Sequence, residues 1–193
     1  MPTDPRKISE NARPVDLESS LARLVPFACF TAAMIAVILS SNILVQYPIN
    51  DWLTWGAIIY PFAFLISDIA NRYYGFKVAR QLIYVGFVAA VILSAVFAYP
   101  RIALASGTAF LCAEMVDAWI FDRLRRRAWW KPPLLSTLVG SALDTAVFFS
   151  LAFYGTDMPW VTLGLGDFAV KVVLAFLTLL PFRAALLLVR PTA

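Results

Sequence analysis

The chain predicts an all-α fold, a polytopic membrane protein of six transmembrane helices with both termini in the cytoplasm. Three observations carry that prediction. Hydrophobic residues make up 61% of the chain and charged residues only 15%, with a mean hydropathy of +0.77; soluble domains run to roughly 45–50% apolar and ~25% charged. Apolar runs long enough to cross a bilayer, about 20 residues each, recur along the whole sequence. Basic residues fall in alternate connections between those runs, the pattern that orients membrane proteins.

Residues 1–23, rich in proline and mixed charge, predict a disordered cytoplasmic tail, and residues 24–193 a six-helix transmembrane domain. The first run, Leu24 to Leu44, follows that polar tail and lacks a small-residue cleavage site near its end, so it reads as a retained helix. The second, Thr54 to Asn71, is the shortest and contains Pro61. The third and fourth, Arg80 to Tyr99 and Arg101 to Phe121, are divided at Pro100, which lacks an amide donor and predicts a tight helical hairpin. Leu134 to Tyr154 and Asp167 to Val189 complete the set. At 193 residues, six such spans leave no second domain and no nucleotide-hydrolysing module.

Arg6, Lys7, Arg13 and Arg23 precede the first run; Arg72, Lys77 and Arg80 lie in the second connection. Arg123, Arg125, Arg126, Arg127 and Lys131 lie in the fourth, and Arg190 follows the sixth run. The first and fifth connections have no basic residue and the third only Arg101. Both termini are therefore expected inside, in a multi-pass membrane protein. Trp52, Trp55 and Trp160 fall at the outer interface, and Trp129 and Trp130 at the inner one. The net charge of +4 sits in these short loops, which makes it a topology signal and excludes a nucleic-acid-binding patch. Arg125, as one of five clustered basic residues, is expected to be redundant.

Asp68, Glu114, Asp117, Asp144 and Lys171 lie inside the apolar runs. An ionised side chain in hydrocarbon costs at least ~2.5–3.5 kcal/mol, so these residues are expected to face one another or a wet cavity. At ~1.5 Å per residue, Asn42 and Lys171 come out toward the outside, Asp144 near the middle, and Glu114, Asp68 and Asp117 progressively toward the cytoplasm. Glu114 and Asp117 share a helix face, as do Asp68 and Asn71, and Ser141 and Asp144. Helix glue is the competing role, although interhelical bonding does not require ionisable groups. Glu114–Phe121 and Ser141–Phe148 also share a short pattern: a polar residue three before an Asp and a Phe four after it. Cys29 and Cys112 read as small thiols buried in packed helices; with no histidine in the chain, no metal site or cofactor is expected.

The run Tyr60-Pro61 through Asp68, Asn71, Tyr74-Gly75 and Ala79-Arg80 resembles the pattern YPxxFLxxDxxNxxYGxxxAR of the queuosine precursor transporters, a vitamin-uptake-like family. Ala105-Ser106 with Phe110, Glu114 and Asp117 is similar to that family's fourth helix, and Ser136-Thr137 with Asp144-Thr145 and Phe148 to its fifth. Asn42-Ile43-Leu44 and Lys171 with Pro181 fit the first and sixth. The resemblance covers nearly all of the chain apart from the tail. It implies import of 7-cyano-7-deazaguanine and 7-aminomethyl-7-deazaguanine, and a fold akin to the six-helix substrate-binding subunits of energy-coupling-factor transporters. Arg72 stands where the family often has an acid, and Ser141 where a glutamine is expected; serine offers a base edge one hydroxyl instead of an amide.

The residues suit such a ligand on chemical grounds. A deazaguanine presents two adjacent N–H donors to a carboxylate, a carbonyl oxygen to a donor, and a flat face to aromatic walls. Asp144, Glu114, Asp68 or Asp117 can supply the first, and Asn42, Asn71, Ser141 or Lys171 the second. Tyr60 and Phe110 are among the candidates for the third. The same inventory suits another vitamin-like heterocycle. The expected partners are a small-molecule substrate and membrane lipid, without nucleic acid; a homo-oligomer is left open. No P-loop is present, so a dedicated ATPase is not expected, and proton coupling through carboxylates or water stays as open as facilitated diffusion. A substrate-capture subunit docking through Ala28, Ala32, Ala33 and Ala36 is a further reading. Gly164-Leu165-Gly166-Asp167 resembles the GxGD motif of intramembrane aspartyl proteases. Without a second membrane-aspartate motif, the glycines read as a loop and Asp167 as a helix cap at the outer lip.

Overall fold

The computed structural model describes residues 17–50, 52–97 and 99–188. Eight helical segments and one small hairpin make up the described chain: α1 (Leu17–Leu44), β1 (Pro48–Asn50), β2 (Leu53–Thr54), α2 (Trp55–Ile59), α3 (Phe62–Tyr74), α4 (Phe76–Phe97), α5 (Pro100–Leu124), α6 (Lys131–Phe153), α7 (Trp160–Leu177) and α8 (Leu179–Leu188). The fold is mostly helical. Among the described residues four segments are long and apolar enough to cross a membrane: Phe27–Leu44, Pro100–Leu124, Lys131–Phe153 and Trp160–Leu187.

The boundaries follow from local chemistry. Helix α1 begins at Leu17, ahead of the expected Leu24, so 17–23 are helical; Arg6, Lys7, Arg13 and Arg190 lie outside the described residues. The second expected run is broken in two. Pro61 has no N–H to give, and the chain turns at Tyr60 and Pro61, where Tyr60 still donates to the Gly56 carbonyl and Ala63 donates to Tyr60. Gly75 then ends α3 with φ +87°, a backbone conformation that side-chain-bearing residues rarely adopt, and α4 starts at once. Proline at the start of α5 and at Pro132 and Pro133 in α6 occupies first-turn positions whose amides would be unpaired in any case. The last run is also interrupted. Pro181 cannot donate to the preceding turn, and the helix breaks at Thr178 between α7 and α8.

Consecutive long helices run antiparallel, and α5 with α6 is the most closely packed pair. One end of the bundle carries the β1–β2 hairpin, the α4–α5 turn and the α6–α7 loop. The other carries the Gly75 turn, the α5–α6 connection and α8. Trp52 and Trp55 are exposed at the hairpin end and Trp130 at the other. The basic end holds Arg72, Lys77, Arg80, Arg123, Arg125, Arg126, Arg127 and Lys131, together with Arg183 of α8, whose guanidinium lies 5.0 Å from the Trp129 ring.

One apolar cluster, built on Met34, Ile38, Phe64, Leu82, Ile83 and Phe110, joins α1, α3, α4 and α5. A second, on Ala105, Phe148, Phe149, Ala152 and Leu163, joins α5, α6 and α7. Val88, Ile92, Val96, Leu104, Val173 and Leu180 point outward, as lipid-facing residues do. Cys29 and Cys112 are also on this outer surface, contrary to the expectation of buried thiols. Hydrocarbon accepts a small apolar thiol as readily as a packed interior does, so the hydrophobic run alone does not decide which way it faces.

Candidate functional site

The polar residues of the bundle interior form two groups, stacked along it. The first lies toward the hairpin end and centres on Lys171 of α7, which is buried. Its ammonium donates to Asp144 Oδ2 at 2.6 Å and to the Thr145 hydroxyl at 3.2 Å, and it pairs with Asp167 Oδ2 at 2.6 Å. Thr145 donates to Asp167 at 2.7 Å, and the Tyr60 hydroxyl donates to Asp144 Oδ1 at 2.7 Å. The Tyr60 ring also faces the ammonium at 4.9 Å from its centroid, a cation–π contact strengthened by burial. All three charges of the Asp144–Lys171–Asp167 group are thus paired and hydrogen-bonded, the condition under which buried charges are tolerated.

Each local fold feature explains one part of this group. The break at Tyr60 and Pro61 places the tyrosine between α2 and α3, facing α6 and α7. Asp144 and Thr145, adjacent on α6, both accept from the Lys171 ammonium. Asp167 and Lys171 are four apart on α7 and therefore share a face. The hairpin closes over them: a β-carbon built on Gly166 would lie 1.8 Å from the Trp52 carbonyl oxygen, so only glycine lets the hairpin sit on α7.

A cavity of about 30 Å³ borders the group, lined by Ser41, Asn42, Tyr60, Ser106, Phe148 and Lys171 among others. A water needs ~10–15 Å³, so the space holds about two waters and is too small for a bicyclic base as it stands. Ser106 donates to the Asn42 side-chain oxygen at 2.6 Å, fixing the amide at the cavity wall. Phe110 is buried in a neighbouring void that shares Asn42 and Ser106.

The second group lies nearer the basic end. Asp68, Glu114 and Asp117 are buried, and their carboxylates interact electrostatically. Asp68 accepts long hydrogen bonds from Ser136 at 3.5 Å and Thr137 at 3.4 Å. Glu114 faces Ser67, Asp117 and Asp144, and Asp117 faces Ser136 and Asp68. Among the described residues the carboxylate oxygens of Glu114 and Asp117 and the Ser141 hydroxyl have no hydrogen-bond partner. Below them Asn71 donates to the Ala118 carbonyl at 3.0 Å and accepts from Arg125 at 3.1 Å, while Arg72 donates to the Arg125 carbonyl at 2.9 Å.

Of the residues expected along the polar path, the structure brings Asn42, Tyr60, Asp144 and Lys171 to a single cavity. It does not bring Asp68, Asn71, Glu114, Asp117, Ser141 or Phe110 to that cavity. Two expectations are corrected. Helix α7 begins at Trp160, so the glycines before Asp167 are helical, and Asp167 is a buried partner of Lys171, not a cap at the outer lip. With an ammonium between them, Asp144 and Asp167 do not form the proton-sharing aspartate pair of a membrane protease. Arg125 also differs from its neighbours, being bonded to Asn71 where Arg126 and Arg127 are not. The Asp167–Lys171 spacing of four was the available signal for the missed residue.

A family model described as "Putative vitamin uptake transporter" matches residues 54–99 and 93–186. The chain is 33% identical over 180 residues to the queuosine precursor transporter of Escherichia coli, covering 78% of this chain and 81% of that one. It is 32% identical over 188 residues to a probable queuosine precursor transporter of Haemophilus influenzae, with 76% and 80% covered. A probable queuosine precursor transporter of Bacillus subtilis is 25% identical over 157 residues, with 65% and 68% covered. No solved structure matches the chain significantly. A helical membrane protein with a charged, cavity-lining centre, matched over most of its length by these transporters, belongs to the vitamin uptake transporter family.

Proposed function

We propose that this protein imports queuosine precursors, 7-cyano-7-deazaguanine and 7-aminomethyl-7-deazaguanine, across the bacterial inner membrane, and is not an enzyme. In this reading the chain crosses the bilayer six times: α1, α2 with α3, α4, α5, α6, and α7 with α8. The hairpin end faces outward and both termini are cytoplasmic, in keeping with the basic residues gathered at the opposite end. The support for the substrate class is the names of the relatives together with one observation in the structure: the Asp144–Lys171–Asp167 group beside Tyr60, buried in the bundle at a cavity wall.

That group offers a deazaguanine a like-for-like exchange of partners. In this structure Asp144 accepts from Tyr60 and Lys171, and the ammonium is held by carboxylates. A base whose edge carries two N–H donors can replace those donors on Asp144, while its carbonyl oxygen accepts from Lys171. No charge is left without a partner before or after binding, and Tyr60 and Phe148 supply flat walls. Binding a bicycle requires the cavity to widen. The hairpin and α2, joined to the rest through the break at Tyr60 and Pro61, are the segment whose movement would do so.

The test is uptake of each labelled precursor into bacteria that cannot synthesise them, with queuosine in transfer RNA as the readout. Restored queuosine with the parent chain, and its loss on Asp144→Asn at equal membrane abundance, is the expected result. Parental uptake by Asp144→Asn would remove the group from substrate binding.

A further inference from the structure

We propose that Asp68, Glu114 and Asp117 form the proton-carrying site that couples import to the proton gradient, separate from the group that holds the substrate. The proposal rests on the functional reading above and adds to it a source of energy.

The two polar groups differ in how their charges are met. At the hairpin end two carboxylates share one ammonium. Nearer the basic end three buried carboxylates stand together, and among the described residues no lysine or arginine pairs with any of them. The titratable groups facing the cluster are all acids or neutral: Tyr60 from the break between α2 and α3, Asp68 itself from α3, Glu114 and Asp117 from α5, and Asp144 from α6. Lys171 is committed to Asp144 and Asp167, and Arg125 reaches only as far as Asn71, one turn beyond Asp68. Three neighbouring buried carboxylates with no cationic partner among the described residues cannot all stay ionised, so the cluster holds a proton. No group of acids and thiols among the described residues has the arrangement of a metal site.

The Ser141 hydroxyl is the second observation. It is buried and unpartnered, and it stands on α6 one turn from Thr137, which bonds Asp68, and one turn from Asp144, which faces Glu114. It bonds neither group in this structure; because a hydroxyl both donates and accepts, we assign it the relay between the substrate group and the acid cluster when the helices shift. A proton entering from outside forms an O–H bond on the cluster. That bond breaks when the cluster opens toward the basic end, and the proton leaves to cytoplasmic water, returning the cluster to its starting charge. Proton and substrate cross in the same direction, and no other reactant is needed.

The experiment uses the purified chain in liposomes, with labelled 7-aminomethyl-7-deazaguanine and 7-cyano-7-deazaguanine. An outside-acid gradient is expected to drive accumulation of substrate at least tenfold above its equilibrium level, abolished by a protonophore. Glu114→Gln and Asp117→Asn are expected to lose accumulation while retaining exchange of labelled for unlabelled substrate, because exchange needs no proton release; Glu114→Asp is expected to keep both. Infrared spectra of the parent at neutral pH should show a protonated-carboxyl band that weakens in Glu114→Gln. Exchange by the parent without gradient-driven accumulation overturns the proposal and leaves the transport reading standing. Absence of exchange with either precursor overturns both. Accumulation undiminished in Glu114→Gln and Asp117→Asn, or no protonated-carboxyl band in the parent, moves the proton site elsewhere.

Discussion

Replacing Lys171 with methionine keeps the length of the side chain and removes the cation between Asp144 and Asp167. Both carboxylates lie 2.6 Å from that ammonium, so the variant leaves two buried negative charges with only the Tyr60 and Thr145 hydroxyls as donors. Removing one partner of a buried ion pair costs about 3–5 kcal/mol. For a chain of this size each kcal/mol lowers the unfolding midpoint by roughly 2–4 °C, which gives a fall of about 6–20 °C. The assay is thermal unfolding of the detergent-purified protein followed by tryptophan fluorescence, with uptake measured on the same preparation. A triple variant, Lys171→Met with Asp144→Asn and Asp167→Asn, removes all three charges together. Neutral replacement of a whole buried ionic group is often neutral or stabilising, so the triple variant should recover the parental midpoint while remaining unable to transport. A Lys171→Met protein that unfolds at the parental temperature and still transports would refute the reasoning.

Tyr60→Phe removes the hydroxyl that donates to Asp144 and keeps the ring. A loss of about 1.5–3 kcal/mol in stability is expected for a hydrogen bond to a charged group, with uptake reduced less than in Tyr60→Ala, as concentration-dependent uptake curves would show. Gly166→Ala forces its β-carbon against the Trp52 carbonyl, whereas at Gly164 the same change meets Phe149 at an ordinary 3.5 Å. Gly166→Ala should lift the hairpin, raising labelling of a cysteine placed at Asn50 and impairing uptake, and Gly164→Ala should behave as the parent does. Arg125→Ala breaks the bond to Asn71. Its side chain is about a third exposed, so about 1 kcal/mol is the expected loss, visible as a lowered unfolding midpoint that Arg126→Ala, with the same change in charge, does not show.

Much of this architecture is legible in the sequence because a bilayer leaves few options. Apolar length marks the long helices, Pro100 marks the α4–α5 turn, and the alternation of arginines sorts one end of the bundle from the other. Asp144, Lys171 and Asn42 stood out as candidate site residues because each is polar within an apolar run, and Tyr60 as a candidate aromatic wall. Their arrangement did not. Helix α7 starts seven positions before Asp167 because glycine in a membrane helix, packed against a neighbouring backbone as Gly166 is against Trp52, does not end it. Reading those glycines as a loop concealed the Asp167–Lys171 pair. The separation of the acids into a paired group and an unpaired one depends on helix rotation, which residue spacing within each helix does not fix between helices. The β1–β2 hairpin, with a bulged register between Pro48 and Asn50, has too few residues to show a strand pattern. The hydrogen bond from Arg125 to Asn71 spans two distant segments, and composition cannot distinguish it from the neighbouring arginines.

Transport by the purified chain alone tests the central claim most directly: liposomes containing this protein, loaded with unlabelled 7-aminomethyl-7-deazaguanine and given the labelled compound outside. The account predicts rapid exchange by the parent and none above protein-free liposomes for Asp144→Asn. Exchange at the same rate by Asp144→Asn, or no exchange by folded parent protein with either precursor, would contradict it.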